Sequence, residues 1–305
     1  MTVSDVSFRG VFPILPTPFR DDESVDLDSF RRIVEFAISI GVDGVTILGV
    51  LGEANRMVDG ERETLIETAV VSADGRIPIV VGTSHSGSRA AADLSQRAEA
   101  LGAGGVMVTP LREATPNATR VFEHYASIAD RCSLPIVLQD HPLSTQVHMP
   151  LDLVLRIVEE VGTVACIKQE AVPSPSRISA LVKGMGRKVP ILTGLGALYG
   201  GFELQRGADG FMTGFAFPEV LMAMVQAKDD DDRLMTLYTR YLPLIVFEQQ
   251  PGVAIRKEVF RMRGLMDTSR VRHPGGNIDD STRAQLEAII KRVLGDADLT
   301  NRLEV

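Results

Sequence analysis

Eight short apolar runs, alternating with longer amphipathic stretches, constrain this chain more than any other feature. The runs are Val11–Leu15, Gly44–Leu48, Ile77–Thr83, Gly105–Thr109, Pro135–Gln139, Thr163–Lys168, Val189–Thr193 and Gly210–Thr213. Consecutive apolar residues mark strands buried on both faces. The stretches between them, such as Asp28–Ile40 and Arg89–Leu101, repeat their apolar residues at helical spacing. Asp26 or Asp28, Ser88 and Asn117 suit N-caps, and Gly41, Gly102 and Gly186 suit C-caps. Parallel strands covered by helices, eight times over, predict an α/β fold, a (β/α)8 TIM barrel. An open doubly wound sheet would favour a glycine-rich phosphate loop after the first strand, and FPILPTPF contains none. Beyond the eighth run the pattern predicts three more helices, Asp232–Phe247, Gly252–Arg263 and Ser281–Leu294. They make a C-terminal helical extension packed on the barrel, dividing the chain into 1–225 and 226–305. Asp229–Asp232 reads as a solvated loop.

Composition narrows the function classes. Of 305 residues, 45% are hydrophobic and 24% charged, as in ordinary globular proteins. A formal net charge of −8 argues against a nucleic-acid partner. No apolar stretch reaches the ~18 residues of a membrane span, and MTVSDVSFRG lacks the basic and apolar regions of a signal peptide. The two cysteines, Cys132 and Cys166, form neither a disulfide framework nor a metal spacing. A soluble cytoplasmic protein without metal is expected.

The segment VACIKQE, residues 164–170, ends an apolar run on a lysine. One reading leaves Lys168 in solvent where the strand stops. The other follows from the barrel, which gathers functional groups at the carboxyl ends of its strands. A buried ammonium costs several kcal/mol unless it is paired or neutral, and a neutral lysine is a nucleophile. Desolvation beside Cys166 and Ile167 favours the neutral form, whereas Glu170 would oppose it if close. If Lys168 points inward, strand alternation sends Cys166 and Val164 inward with it and turns Ala165 and Ile167 to the helices. The other strand ends carry Thr17, Glu53, Ser84 with His85, Thr109, Gln139 with Asp140 and His141, Thr193 and Thr213.

Six segments in this order and spacing resemble the dihydrodipicolinate synthase / N-acetylneuraminate lyase family over nearly the whole chain. They are GVFPILPTPF (Gly10–Phe19), GVLGE (Gly49–Glu53), VTP (Val108–Pro110), PIVLQDHP (Pro135–Pro142), CIKQEA (Cys166–Ala171) and GADGFMTG (Gly207–Gly214). The resemblance implies a (β/α)8 barrel with extra C-terminal helices, a homotetramer, and no metal or organic cofactor. It implies that Lys168 forms a Schiff base with a small-molecule 2-oxo acid. The protonated imine acidifies the neighbouring carbon and permits aldol chemistry or loss of water.

Departures from the family pattern sharpen the expectation. Two threonines that hold the substrate carboxylate are replaced by Val50 and Leu51, so the hydroxyls are gone and only backbone N–H groups remain there. The tyrosine acid/base at the end of strand five is Gln139, and an amide cannot shuttle a proton as a phenol does. The tyrosine after the VTP element aligns with Arg112. Gln139–Pro142, Tyr241–Ile245 and Arg272–Pro274 look like the branch containing L-2-keto-3-deoxyarabonate dehydratase. Dehydration of a 2-keto-3-deoxy sugar acid is therefore expected. The alternatives are dihydrodipicolinate synthase or pyruvate-dependent aldolase chemistry, or a paralogue that binds a 2-oxo acid without turnover.

Lys168 and Gln139 are the catalytic candidates. Val50, Leu51, Glu53, Arg112, Asp140, His85 and Met212 are the substrate-binding ones. Arg112 suits a carboxylate because guanidinium binds it bidentately. Glu53 also suits a structural role, accepting backbone N–H bonds in its tight loop. Asp140 and His141 are alternatives for proton transfer or loop residues capping Thr145. His85 either binds polar substrate groups or fixes its loop. His124 and Tyr125 fall in a helical pattern and read as packing residues.

Overall fold

The computed structural model describes residues 6–112, 117–250 and 252–305; the first five residues, part of the stretch tested for a leader, lie outside it. Eight parallel strands form the barrel: β1 (Gly10–Val11), β2 (Val45–Ile47), β3 (Ile79–Gly82), β4 (Gly105–Val108), β5 (Ile136–Asp140), β6 (Val164–Gln169), β7 (Ile191–Thr193) and β8 (Gly210–Phe211). Each of β2 to β8 pairs with its neighbour, and β8 pairs with β1. A single parallel bridge, Ile14 to Thr46, completes the circle between β1 and β2. The first run is cut short because Pro13 and Pro16 bring no N–H to a ladder. Ile14 and Leu15 still donate to Thr213 and Thr46, at 2.9 Å each. Gly210 allows the β1–β8 seam: its φ is +151°, and a Cβ there would stand 1.9 Å from the Gly10 carbonyl oxygen.

Two apolar layers result. Phe12, Val80, Met107, Val137, Cys166 and Met212 fill the barrel interior. A larger layer joins the outward strand residues to the helices, among them Leu27–Ile40 and Ser88–Ala100. Asp26 caps the first of these and Gly41 ends it in the left-handed region, both as expected. Asn117 caps the helix Ala118–Ala129. Ser88 is instead the first helical residue, after Gly87, and its hydroxyl meets His124 Nδ1 at 3.0 Å. Met185, not Gly186, follows the helix Ser174–Gly184.

Alternation along β6 departs from the expected pattern. The register steps from Ile136–Val164 to Val137–Cys166, so Ala165 is an extra residue. Above this bulge Cys166 faces the interior and Ile167 the helices, as expected. Below it the phase reverses: Val164 packs in the helix layer and Ala165 against the interior.

The C-terminal helices Asp231–Phe247, Gly252–Met262 and Asp280–Leu294 lie within a residue of their expected bounds. Asp230 caps the first of them, so the acidic run is exposed but opens a helix. Buried ion pairs fasten this extension to the barrel. Arg263 meets Glu219 at 3.2 Å (Nη1 to Oε2), and Lys257 is paired with Glu53. No helix among the described residues is long and apolar enough to cross a membrane.

Candidate active site

Lys168 and Gln139 occupy facing positions in the ladder between β5 and β6. Each lies two residues beyond an interior side chain, Cys166 and Val137, so both point into the barrel mouth. Lys168 is only 2% exposed. Glu170, two residues further on the same face, brings Oε2 to 3.3 Å from Lys168 Nζ. Gln139 Nε2 donates to that same oxygen at 2.6 Å. The Leu195 N–H donates to Oε1 at 3.1 Å, and His141 Nδ1 stands 3.9 Å from Oε2. One carboxylate thus gathers the end of β6, the end of β5 and the loop after β7.

Burial pushes the Lys168 amine below its ordinary pKa; the Glu170 carboxylate opposes this, and the Arg256 guanidinium adds to it. Burial acts upward on Glu170, but Lys168, His141 and the donors from Gln139 and Leu195 outweigh it and hold the carboxyl below its usual range. Burial likewise keeps His141 below the ordinary imidazole value. The pocket therefore favours a free amine beside an ionised carboxylate, a nucleophile next to a proton acceptor.

The approach depends on Gly194. A Cβ there would lie 2.1 Å from Glu170 Oε1, so the loop can hug the carboxylate only without a side chain. Gly194→Ala must displace Glu170. It is expected to lower turnover about 10²-fold, the low end for loss of general acid–base assistance. The check is steady-state rate beside thermal melting: a rate that falls only in step with stability would mean that Glu170 is not held there for chemistry.

The other candidates are placed as follows. Leu51 turns inward at the rim against the interior cluster, whereas Val50 is 57% exposed. Met212 is fully buried in the interior beneath the mouth. The Glu53 carboxylate is taken up by Arg56 at 2.6 Å, by the Arg272 N–H at 3.0 Å and by Lys257. The role is structural, but the partners are side chains and a backbone N–H of the C-terminal extension rather than N–H groups of its own tight loop, so Glu53 ties the loop after β2 to that extension. His85 is exposed, and its Nδ1 accepts the Gly87 N–H at 2.9 Å, fixing its own loop. Arg112 is exposed and donates to Gln146 Oε1 at 2.6 Å. Asp140 follows Gln139 and so faces the opposite way, into the helix layer, where Arg177 pairs with it at 3.3 Å. His124 and Tyr125 pack in their helix; Tyr125 donates to the Val108 carbonyl at 3.0 Å.

Glu170 and Arg256 are the charged side chains of the mouth that the candidates above leave out. The first had a signal, since residues two apart on a strand share a face. The second had none, because it arrives from a helix far along the chain.

Burial pushes the Asp140 carboxyl up to about 6, and the Glu203 and Glu248 carboxyls to about 7. Below these values the folded chain holds protons that the unfolded chain releases. Their contribution is complete in acid and is lost as pH rises through 6 and 7. In Glu203→Gln the loss of stability between pH 5 and pH 8 should shrink by about 3 kcal/mol. Denaturant melts at the two pH values check this, and an undiminished difference would refute it.

The sequence profile of the dihydrodipicolinate synthetase family matches residues 7–293. An L-2-keto-3-deoxyarabonate dehydratase of Azospirillum brasilense is 35% identical, over 93% of this chain and 94% of its own length. A 4-hydroxy-tetrahydrodipicolinate synthase of Methanothrix thermoacetophila is 32% identical, over 96% and 98%. The crystal structure of dihydrodipicolinate synthase from Rhodopseudomonas palustris superposes with a TM-score of 0.88 at 32% identity, covering 93% of this chain and 97% of the other.

Proposed function

The chain belongs to the dihydrodipicolinate synthetase family, and from that premise we propose that it dehydrates a 2-keto-3-deoxy sugar acid through an imine at Lys168. The observation that carries the reading is the Glu170 carboxylate 3.3 Å from Lys168 Nζ, with Gln139 where a tyrosine is expected. A synthase needs a relay to shuttle protons between two substrates. A dehydratase needs one group to take a proton from C3 and return it to a leaving hydroxyl.

The free amine of Lys168 attacks the C2 carbonyl, and loss of water leaves the protonated imine. Glu170 takes a proton from C3, and the C–H electron pair flows into the iminium nitrogen to give an enamine. The enamine pair then returns to expel the C4 hydroxyl, which leaves as water with the proton that Glu170 holds. Hydrolysis of the conjugated imine frees Lys168. Gln139 donates to Glu170 throughout and fixes its orientation, a task that an amide performs without titrating. The curated relative named as an L-2-keto-3-deoxyarabonate dehydratase supports this substrate class.

The test sets two reactions side by side. Dehydration of 2-keto-3-deoxy-L-arabonate is expected at about 1 s⁻¹ or faster, the ordinary enzyme range. Condensation of pyruvate with aspartate semialdehyde is expected only at trace level. The reverse ranking would make the chain a synthase. Imine capture with neither turnover would make it a binding paralogue.

A further inference from the structure

One cation at the barrel mouth has no task in the scheme above. Arg256 belongs to the helix Gly252–Met262 of the extension, yet its side chain ends among the loops that follow β7 and β8. A Cβ on Gly214 would meet Arg256 Cδ at 3.6 Å, and one on Gly196 would meet Nη2 at 2.7 Å. The residue is 6% exposed, and its charge is felt at Lys168. Its partner among the described residues is Glu248, which takes the Nε hydrogen at 3.1 Å and the Ala216 N–H at 3.2 Å. The guanidinium thus keeps its Nη edge for the loop carrying Gly196, beside the Gln249 amide, with Nη1 nearest Gly252. An edge of this kind suits a carboxylate.

Leu51 supplies the complement. Its Cδ1 would lie 1.7 Å from a Cβ on Gly214, so Leu51 and the Arg256 stem flank the same glycine. The loop after β2 therefore presents hydrocarbon to the mouth, with a guanidinium beside it. A substrate carboxylate buried there has to be hydrogen-bonded or charge-paired, because an unpaired anion is too costly to bury.

We propose that Arg256 binds the carboxylate of the 2-oxo acid, doing from the C-terminal extension what side-chain hydroxyls at positions 50 and 51 would otherwise do. The proposal rests on the 2-oxo acid reading and adds to it a specificity-determining residue that selects acids over neutral ketones.

The probe is oxamate, a pyruvate isostere whose amide carbonyl does not condense with amines, titrated calorimetrically into the full-length protein. Arg256→Met alone would leave Glu248 buried without a partner and risks unfolding the extension. The working variant is therefore Arg256→Met with Glu248→Gln, referred to Glu248→Gln alone. Oxamate affinity is expected to fall about 30-fold or more, with Arg256→Lys recovering part of it as a point charge. Borohydride capture of hydroxyacetone, which has no carboxylate, is expected to stay unchanged when read on the high-pH plateau of each variant, where the Arg256 contribution to the Lys168 pKa no longer counts. Oxamate affinity within about threefold of the reference would overturn the proposal. So would a parallel loss of hydroxyacetone capture, which marks collapse of the mouth. If the unaltered protein captures no ketone, yet Arg256 substitution still abolishes oxamate binding, the imine reading falls and the carboxylate site stands.

Discussion

Lys168→Ala is expected to abolish covalent capture of pyruvate by borohydride and to reduce turnover to background. Enzymatic accelerations begin at about 10⁶-fold, and this substitution removes the atom through which the whole route passes. Lys168→Met, closer in volume, should behave alike, which separates loss of the amine from loss of packing. Capture in the unaltered protein should rise with pH as the amine loses its proton. It should level off below the ordinary lysine value of about 10.4, because burial lowers the Lys168 pKa. Peptide mapping of the reduced adduct provides the control. Among the described residues Lys257 is the other buried amine, lowered by burial to about 8 and paired with Glu53. An adduct on Lys257, or one that survives in Lys168→Ala, would end the assignment.

Glu170→Gln is expected to cost about 10²- to 10⁴-fold in dehydration, roughly 3 to 5 kcal/mol, while pyruvate capture persists. The amide keeps the size of the carboxylate but cannot take a proton from C3. It also removes the charge that opposes depression of the Lys168 pKa. The capture profile should therefore move to lower pH in this variant. A merely structural glutamate would shift the profile too, but would weaken folding, capture and dehydration together. Unchanged dehydration in Glu170→Gln would pass the proton to His141, 3.9 Å away.

The barrel was legible because its strands are apolar on both faces and recur with helices between them. The inward aim of Lys168 and Gln139 follows from a period of two and a position at the strand end. The same period sends Asp140 to the helices once Gln139 points in, a parity that outweighs its place in the Gln-Asp-His-Pro segment. Glu170 stood two residues from the lysine, and only its distance was missing. Three features left no trace in the pattern. Val164 and Ala165 are both small and apolar, so nothing in composition records the bulge between them. Arg256 reaches the mouth from a helix whose own spacing says only that one face is buried. Gly194 reads as a loop glycine until the carboxylate beside it is placed.

The bulge at Ala165 makes β6 two half-strands of opposite phase, and the upper half alone aims the nucleophile. Its phase is locked by the Gln139–Lys168 and Ile167–Ile191 pairings above the slip, not by the apolar residues that lead into it. The extra residue works like a slack link. A one-residue deletion at Ala165 can be absorbed by straightening the strand, with Lys168 still aimed at the axis. The same deletion at Ile167 falls above the slack and swings the amine out among the helices.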